Sequence, residues 1–160
     1  MSDARHSMAE LIESLRNGDF QMRNEAAVAL GELGPNAREA VPELTQALEA
    51  DDKYLRAHAA TALGKIGPAA RTAVTALTKA LKDKDEDVRG EAATALGRIG
   101  AEARSAVGDL VELLEDERKA VRRQAATALR MIDPDAAAKH LGLLPSLRRR
   151  FAPNRAKKPK

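Results

Sequence analysis

The chain is 160 residues long, 44% hydrophobic and only 2% aromatic; it has one domain's length and a core limited to Ala, Leu, Val and Ile, a composition that favours closely packed helices over sheet. The absence of cysteine excludes disulfides, thiolate metal sites and a cysteine nucleophile. The net charge of +3 is unevenly spread, because residues 140–160 hold seven Lys/Arg and no acid, leaving 20 basic and 24 acidic residues in 1–139; this is a mildly acidic body with a basic appendage, not a basic domain.

Residues 1–10 are polar and charged, unlike a signal peptide. No apolar run approaches the roughly 20 residues of a membrane span, so a soluble, cytoplasmic protein is expected. Residues 1–7 read as an N-terminal tail. From residue 8 the chain repeats itself in four blocks of 33 residues without insertion: 8–40, 41–73, 74–106 and 107–139. Leu11, Leu44, Leu77 and Leu110 correspond, as do Leu15, Leu48, Leu81 and Leu114. So do Arg23, Arg56, Arg89 and Arg122, the Ala pairs at 26–27, 59–60, 92–93 and 125–126, and Leu30, Leu63, Leu96 and Leu129.

Each block reads as two helices. The first, as over residues 74–81, is apolar at Val74, Leu77 and Leu81. An Asp-rich stretch follows, in which Asp19, Asp52 and Asp85 stand where an N-cap belongs, three residues before Met22, Leu55 and Val88. The second helix, as over 88–99, aligns Val88, Ala92, Leu96 and Ile99. Gly34, Gly67 and Gly100 are expected to stop it as αL caps, two of them followed by Pro35 and Pro68. One such unit cannot bury its apolar face alone, whereas stacked units can. The Ala pairs and Gly31, Gly64 and Gly97 would let neighbouring helices approach closely. The pairs Asp19–Arg23, Asp52–Arg56 and Asp85–Arg89 read as a cap plus a ladder linking adjacent blocks.

The last block departs from the pattern, with Arg118, Arg130 and Asp133 in place of the capping Asp and the two glycines. Beyond it Leu143 and Leu147 keep the register of Leu110 and Leu114. Residues 134–151 read as a degenerate half-repeat, with 140–151 as the C-terminal cap, and Pro145 should break it into two short helices. Residues 152–160 are Pro- and Lys-rich, and disorder is expected there.

The run Asp-x-x-Val-Arg-x-x-Ala-Ala-x-Ala-Leu-Gly-x-Ile-Gly over residues 85–100 resembles the short bacterial-type HEAT repeats, the class first associated with phycobilisome lyases. The resemblance covers residues 8–139 and implies a right-handed α-solenoid of stacked antiparallel helix pairs. It says little about activity, because the class serves many functions. The iron enzyme deoxyhypusine hydroxylase is similar in fold and carries His-Glu ligand pairs just after the repeated Arg. Here those positions hold Asn24-Glu25, Ala57-His58, Gly90-Glu91 and Arg123-Gln124, so no metal is expected, and His58 reads as solvated or partner-facing. HEAT-like DNA glycosylases resemble the chain in architecture alone, and it has few aromatics to stack on a base. No glycine-rich phosphate loop and no nucleophile with a His-Asp partner stands out. Neither an enzyme nor a cofactor is expected.

Comparing the blocks separates fixed from changing positions. In a HEAT-like stack the second helices line the concave surface, and the changing positions there form one panel. These are Gln21, Asn24, Glu25, Val28 and Glu32 in the first block, and Tyr54, Ala57, His58, Thr61 and Lys65 in the second. The third gives Asp87, Glu91, Thr94 and Arg98, and the fourth Arg123, Gln124, Thr127 and Met131. Tyr is a preferred interface anchor, and Tyr54 sits one turn from His58. The panel reads as a protein- or peptide-binding groove, or else as a solvated surface free to drift. Arg148, Arg149, Arg150, Arg155, Lys157, Lys158 and Lys160 read as a tether to nucleic acid or an anionic surface, or else as a solubilising end. A subunit of a HEAT-like chromophore lyase is the remaining alternative.

Overall fold

A computed structural model describes residues 7–143. The expected tail at 1–6, the break at Pro145, the remainder of the capping half-repeat and the basic residues from Arg148 to Lys160 lie outside the described residues. Ser7, the last residue of the expected 1–7 tail, is the N-cap of the first helix. Its hydroxyl accepts from the Glu10 N–H while the Glu10 carboxylate accepts from the Ser7 N–H at 2.7 Å, a capping box that starts helix α1 (Met8–Asn17).

Helix α2 (Phe20–Leu33) completes the first pair, and the pairs α3 (Val41–Ala47) with α4 (Lys53–Ile66), α5 (Val74–Ala80) with α6 (Glu86–Ile99), and α7 (Val107–Glu112) with α8 (Lys119–Ile132) follow, closed by α9 (Pro134–Leu143). The described residues contain no strand. Asp19, Asp52 and Asp85 are the N-caps of α2, α4 and α6, as their spacing suggested, each accepting backbone N–H bonds from the first turn. Arg118, at the head of α8, offers no side-chain cap.

The glycines that end the second helices are not αL caps. Gly34, Gly67 and Gly100 combine φ of 55°, 73° and 78° with ψ of −132°, −141° and −141°, a region closed to residues with a Cβ. The turn they make launches a 3₁₀ segment that the two-helix reading lacks: Gly34–Ala40, Gly67–Ala73 and Gly100–Ala106. Ala37, Ala40, Ala70, Ala73, Ala103 and Ala106 on these segments are fully buried.

The repeated leucines form one continuous core, with Leu30, Leu63, Leu96 and Leu129 fully buried. The second helices press on one another along the whole stack, whereas α3, α5 and α7 touch each other little. The close helix-to-helix contacts between units therefore lie along α2, α4, α6 and α8. The tight side depends on glycine. A Cβ built at Gly31, Gly64 or Gly97 would lie 3.1, 2.8 or 2.9 Å from the Cα of Ala62, Ala95 or Ala128 on the next second helix. The two ends differ. Met22 and Leu33 are 47% and 40% exposed, although their counterparts Leu55, Val88, Val121, Ile66, Ile99 and Ile132 are all at most 2% exposed. The apolar position at Met22 therefore aligns with the core in sequence but faces outward, because no described block precedes it. At the other end α9 packs on α8.

Leu96→Asp should abolish most of the helical circular dichroism, since a charge without a partner would enter a fully buried site shared by neighbouring units. Unchanged helicity and melting midpoint would mean that the core stripe is assigned wrongly. Gly64→Ala should lower stability by about 1–3 kcal/mol through overpacking against backbone. Gly108→Ala, where a new Cβ meets nothing within 4 Å, is the matched control and should be neutral or stabilising.

Candidate binding surface

Two hydrogen-bonded layers set the second helices in place. The first is the repeated Arg. Arg56 donates through Nη1 to the carbonyls of Ala50 and Asp51 (both 2.9 Å), just past the preceding helix, and reaches across the seam to Asp83 at 2.8 and 2.9 Å. Arg89 repeats this with the carbonyls of Asp83 and Lys84 and the carboxylate of Asp116. The ladder therefore runs from Arg56 and from Arg89 to an Asp 27 residues ahead, not to the capping Asp four residues behind. Arg23 has no such carboxylate, because Ala50 stands in the equivalent position, and it bonds the Leu15 carbonyl instead. The sequence signal was the recurrence of Asp83 and Asp116 at the block interval, which the nearer Asp–Arg spacing masked.

The second layer lies within the panel itself. Asn24 donates to the Phe20 carbonyl at 2.9 Å and the Asp52 carboxylate at 3.0 Å, which leaves its Oδ1 to accept from His58 Nδ1 at 2.9 Å. His58 thus carries its proton on Nδ1 and is half-buried and tied to the neighbouring helix, rather than simply solvated. Thr61 donates to Glu91 at 2.8 Å, and Gln124 donates to Thr94 at 3.3 Å. Gly90 makes room for the last of these, since a Cβ there would collide with the Gln124 carboxamide. Ala57 is half-buried between these layers, and Gln21 and Glu25 bond each other at 2.7 Å.

What remains open lies along α2, α4, α6 and α8. Phe20, Val28, Tyr54 and Met131 are large exposed apolar groups on these helices, and Glu32, Lys65, Asp87, Arg98, Arg123 and Thr127 are also exposed. The Lys53 ammonium sits 5.2 Å from the Tyr54 ring centre while bonding Asp85 at 3.0 Å. Glu32, Lys65 and Arg98 share an open cleft of about 590 Å³. A second, of about 270 Å³, is lined by Thr94, Arg98, Arg123, Gln124, Thr127, Ala128 and Met131. A third, of about 180 Å³, includes Asp87, Glu91 and Gln124 together with Arg118 and Lys119. Ala128 and Lys119 were not anticipated, Ala128 because its position never varies between the later blocks. No group of three or more His, Asp or Glu among the described residues could hold a metal ion.

The profile of HEAT repeats matches residues 8–78, 41–106 and 74–144. The chain belongs to the HEAT-repeat family. Among curated proteins no sequence match is found. Several solved helical-repeat structures are similar in fold. An engineered protein is 28% identical over 91% of this chain and 73% of its own, with a TM-score of 0.70. The complex of CpcE and CpcF of phycocyanin lyase from Nostoc sp. PCC7120 gives 30% identity and a TM-score of 0.69 over 89% of this chain, which spans 60% of that chain. A designed armadillo repeat protein in complex with peptide (KR)4 gives a TM-score of 0.71 at 18% identity, over 89% of this chain and 77% of that one.

The HEAT seams carry an acid-sensitive component. The bond from Lys53 holds Asp85 below the ordinary carboxylate range. Burial pushes Asp52 and Asp116 up, but the Asn24 and Arg89 bonds, with backbone N–H groups, bring both out below it. A carboxylate with a depressed folded pKa contributes stability that is complete above its unfolded value of about 3.9 and is lost as pH falls through the folded value. Denaturant midpoints should therefore be flat above about pH 5 and fall below about pH 4. Asp116→Asn should lower stability by about 1.5–3 kcal/mol at neutral pH, the range for a hydrogen bond to a charged group, and flatten the acid limb. An unaltered acid limb would remove the Arg89–Asp116 contact from this account.

Proposed function

We propose that this chain is a non-catalytic interaction module that binds a protein or peptide in the second-helix trough, without a cofactor. One observation carries the reading. The side chains that differ from block to block lie on the second helices, where Tyr54 stays 56% exposed, while the residues repeated in every block are spent on the core and the seams. The hydrogen bonds of Asn24–His58, Thr61–Glu91 and Thr94–Gln124 stiffen the floor, which lowers the ordering cost of binding. A designed armadillo protein of like architecture is seen with a bound peptide.

A lyase-subunit reading has one observation in its favour, the 30% identity to the CpcE and CpcF complex, and a bound chromophore after co-expression with a bilin would support it. The reading of Arg148 to Lys160 as an anionic-surface or nucleic-acid tether rests on composition alone. None of the described helices is long and apolar enough to cross a membrane.

Selection of peptides from a random display library on the full chain, with amide-shift mapping of the winners, tests the trough. The shifts should cluster on α4, α6 and α8, and Tyr54→Ala should weaken binding about tenfold or more while changing stability by less than about 0.5 kcal/mol. Winners that map to α3, α5 and α7 would reject the reading, and a large stability loss in Tyr54→Ala would make that residue structural.

A further inference from the structure

The trough is not neutral along its length. Its α2 end carries Glu25 and Glu32, and from α4 to α8 it carries Lys65, Arg98 and Arg123, with the acids of this stretch, Asp87 and the half-buried, Thr61-bonded Glu91, in the first half of α6. None of these three cations makes an ion pair among the described residues. Two of them are also pre-positioned. A Cβ built at Gly31 would lie 3.6 Å from Lys65 Cδ, and one at Gly64 would lie 3.5 Å from Arg98 Cδ. Each aliphatic stem therefore lies back across the glycine of the preceding helix, with its charged head in the open cleft. The glycines that let the helices touch thus also seat the cations. Arg98 shares its next cleft with Arg123 and with Met131, which is 52% exposed.

Resting on the trough reading, we infer that the preferred occupant is an extended acidic segment whose carboxylates meet Lys65, Arg98 and Arg123 and whose intervening apolar side chain lies on Met131. Unpaired cations over a partly apolar floor select carboxylates flanked by aliphatic groups, and Arg offers a carboxylate two parallel N–H bonds. Register follows from helix spacing. Packed helices lie roughly 8–10 Å apart, and an extended or polyproline-like peptide advances about 3.1–3.3 Å per residue. Carboxylates three residues apart therefore match Lys65 and Arg98 on successive helices. The Glu32 carboxylate at the rim of the first cleft repels the segment's continuation and fixes where it ends.

The test uses the full chain and fluorescent peptides built on a repeated Glu-Ala-Leu unit, with Gln-Ala-Leu and Lys-Ala-Leu counterparts and a version with its Glu residues clustered. The Glu peptide should bind best and weaken as salt rises. The Gln peptide should bind about tenfold or more weakly, a loss typical of a strong charged contact. The clustered version should also bind less well. An Arg98→Glu/Arg123→Glu variant with unchanged circular dichroism should lose the Glu peptide and gain the Lys peptide, and Arg98→Gln/Arg123→Gln should lose the Glu peptide alone. Equal binding of Glu and Gln peptides, a preference for Lys, or indifference to the Arg changes would overturn the inference. So would failure of every defined peptide to bind. Library winners that map to α4, α6 and α8 without acidic bias would overturn it while leaving the trough reading intact, whereas winners mapping elsewhere would remove both.

Discussion

Contact between helix backbones at the seams is the constraint from which the rest follows. With two Phe, one Tyr and no Trp, and none of the described aromatic residues in the core, the chain has no aromatic rings to span a gap between layers. The second helices must come together until Gly31, Gly64 and Gly97 nearly touch the alanine Cα atoms of the next helix. At that distance dispersion between small groups replaces the large contacts of an aromatic core. The first helices, held by leucines and separated by 3₁₀ segments, cannot follow so closely. The second helices are therefore where side chains of successive units come within reach of one another.

That closeness has a chemical consequence. Side chains on neighbouring second helices find partners across the seam: His58 with Asn24, Glu91 with Thr61, Gln124 with Thr94. Such bonds fix rotamers, and a trough whose walls are already braced presents its remaining groups in defined places. The Arg staples serve the same end from below. A buried guanidinium that satisfies carbonyls in its own unit and a carboxylate in the next couples two folding units through one side chain, which is how short helices that would be marginal alone become cooperative.

Much of this was legible in the residues. The block length, the Asp caps, the buried stripe of Val88, Ala92, Leu96 and Ile99, and the role of Gly64 all follow from periodicity, and periodicity is a property of sequence. What escaped was geometry between units. Asp83 as partner of Arg56 could not be told from the nearer Asp52 without knowing where the next helix lies. The 3₁₀ segments escaped because three residues per turn over one short stretch leaves too little pattern beside the Gly-Pro signal that announces a stop. Met22 reads as core in any alignment of the blocks, because an alignment sees the position and not whether a neighbour exists to cover it. The panel was collected from positions that change between blocks, but which of its members hold each other and which stand exposed depends on distances that no spacing rule gives.

The 27-residue reach of the Arg staple also bears on how such a protein can change its length. Arg56 and Arg89 each find a carboxylate at the same place in the next block, so inserting or removing a whole block of 33 residues between them keeps the spacing of donor to acceptor. A deletion of any other size between a donor and its acceptor slides one past the other. The architecture therefore tolerates variation in whole-unit steps and resists it in between, and the trough can be lengthened or shortened without redesigning its walls.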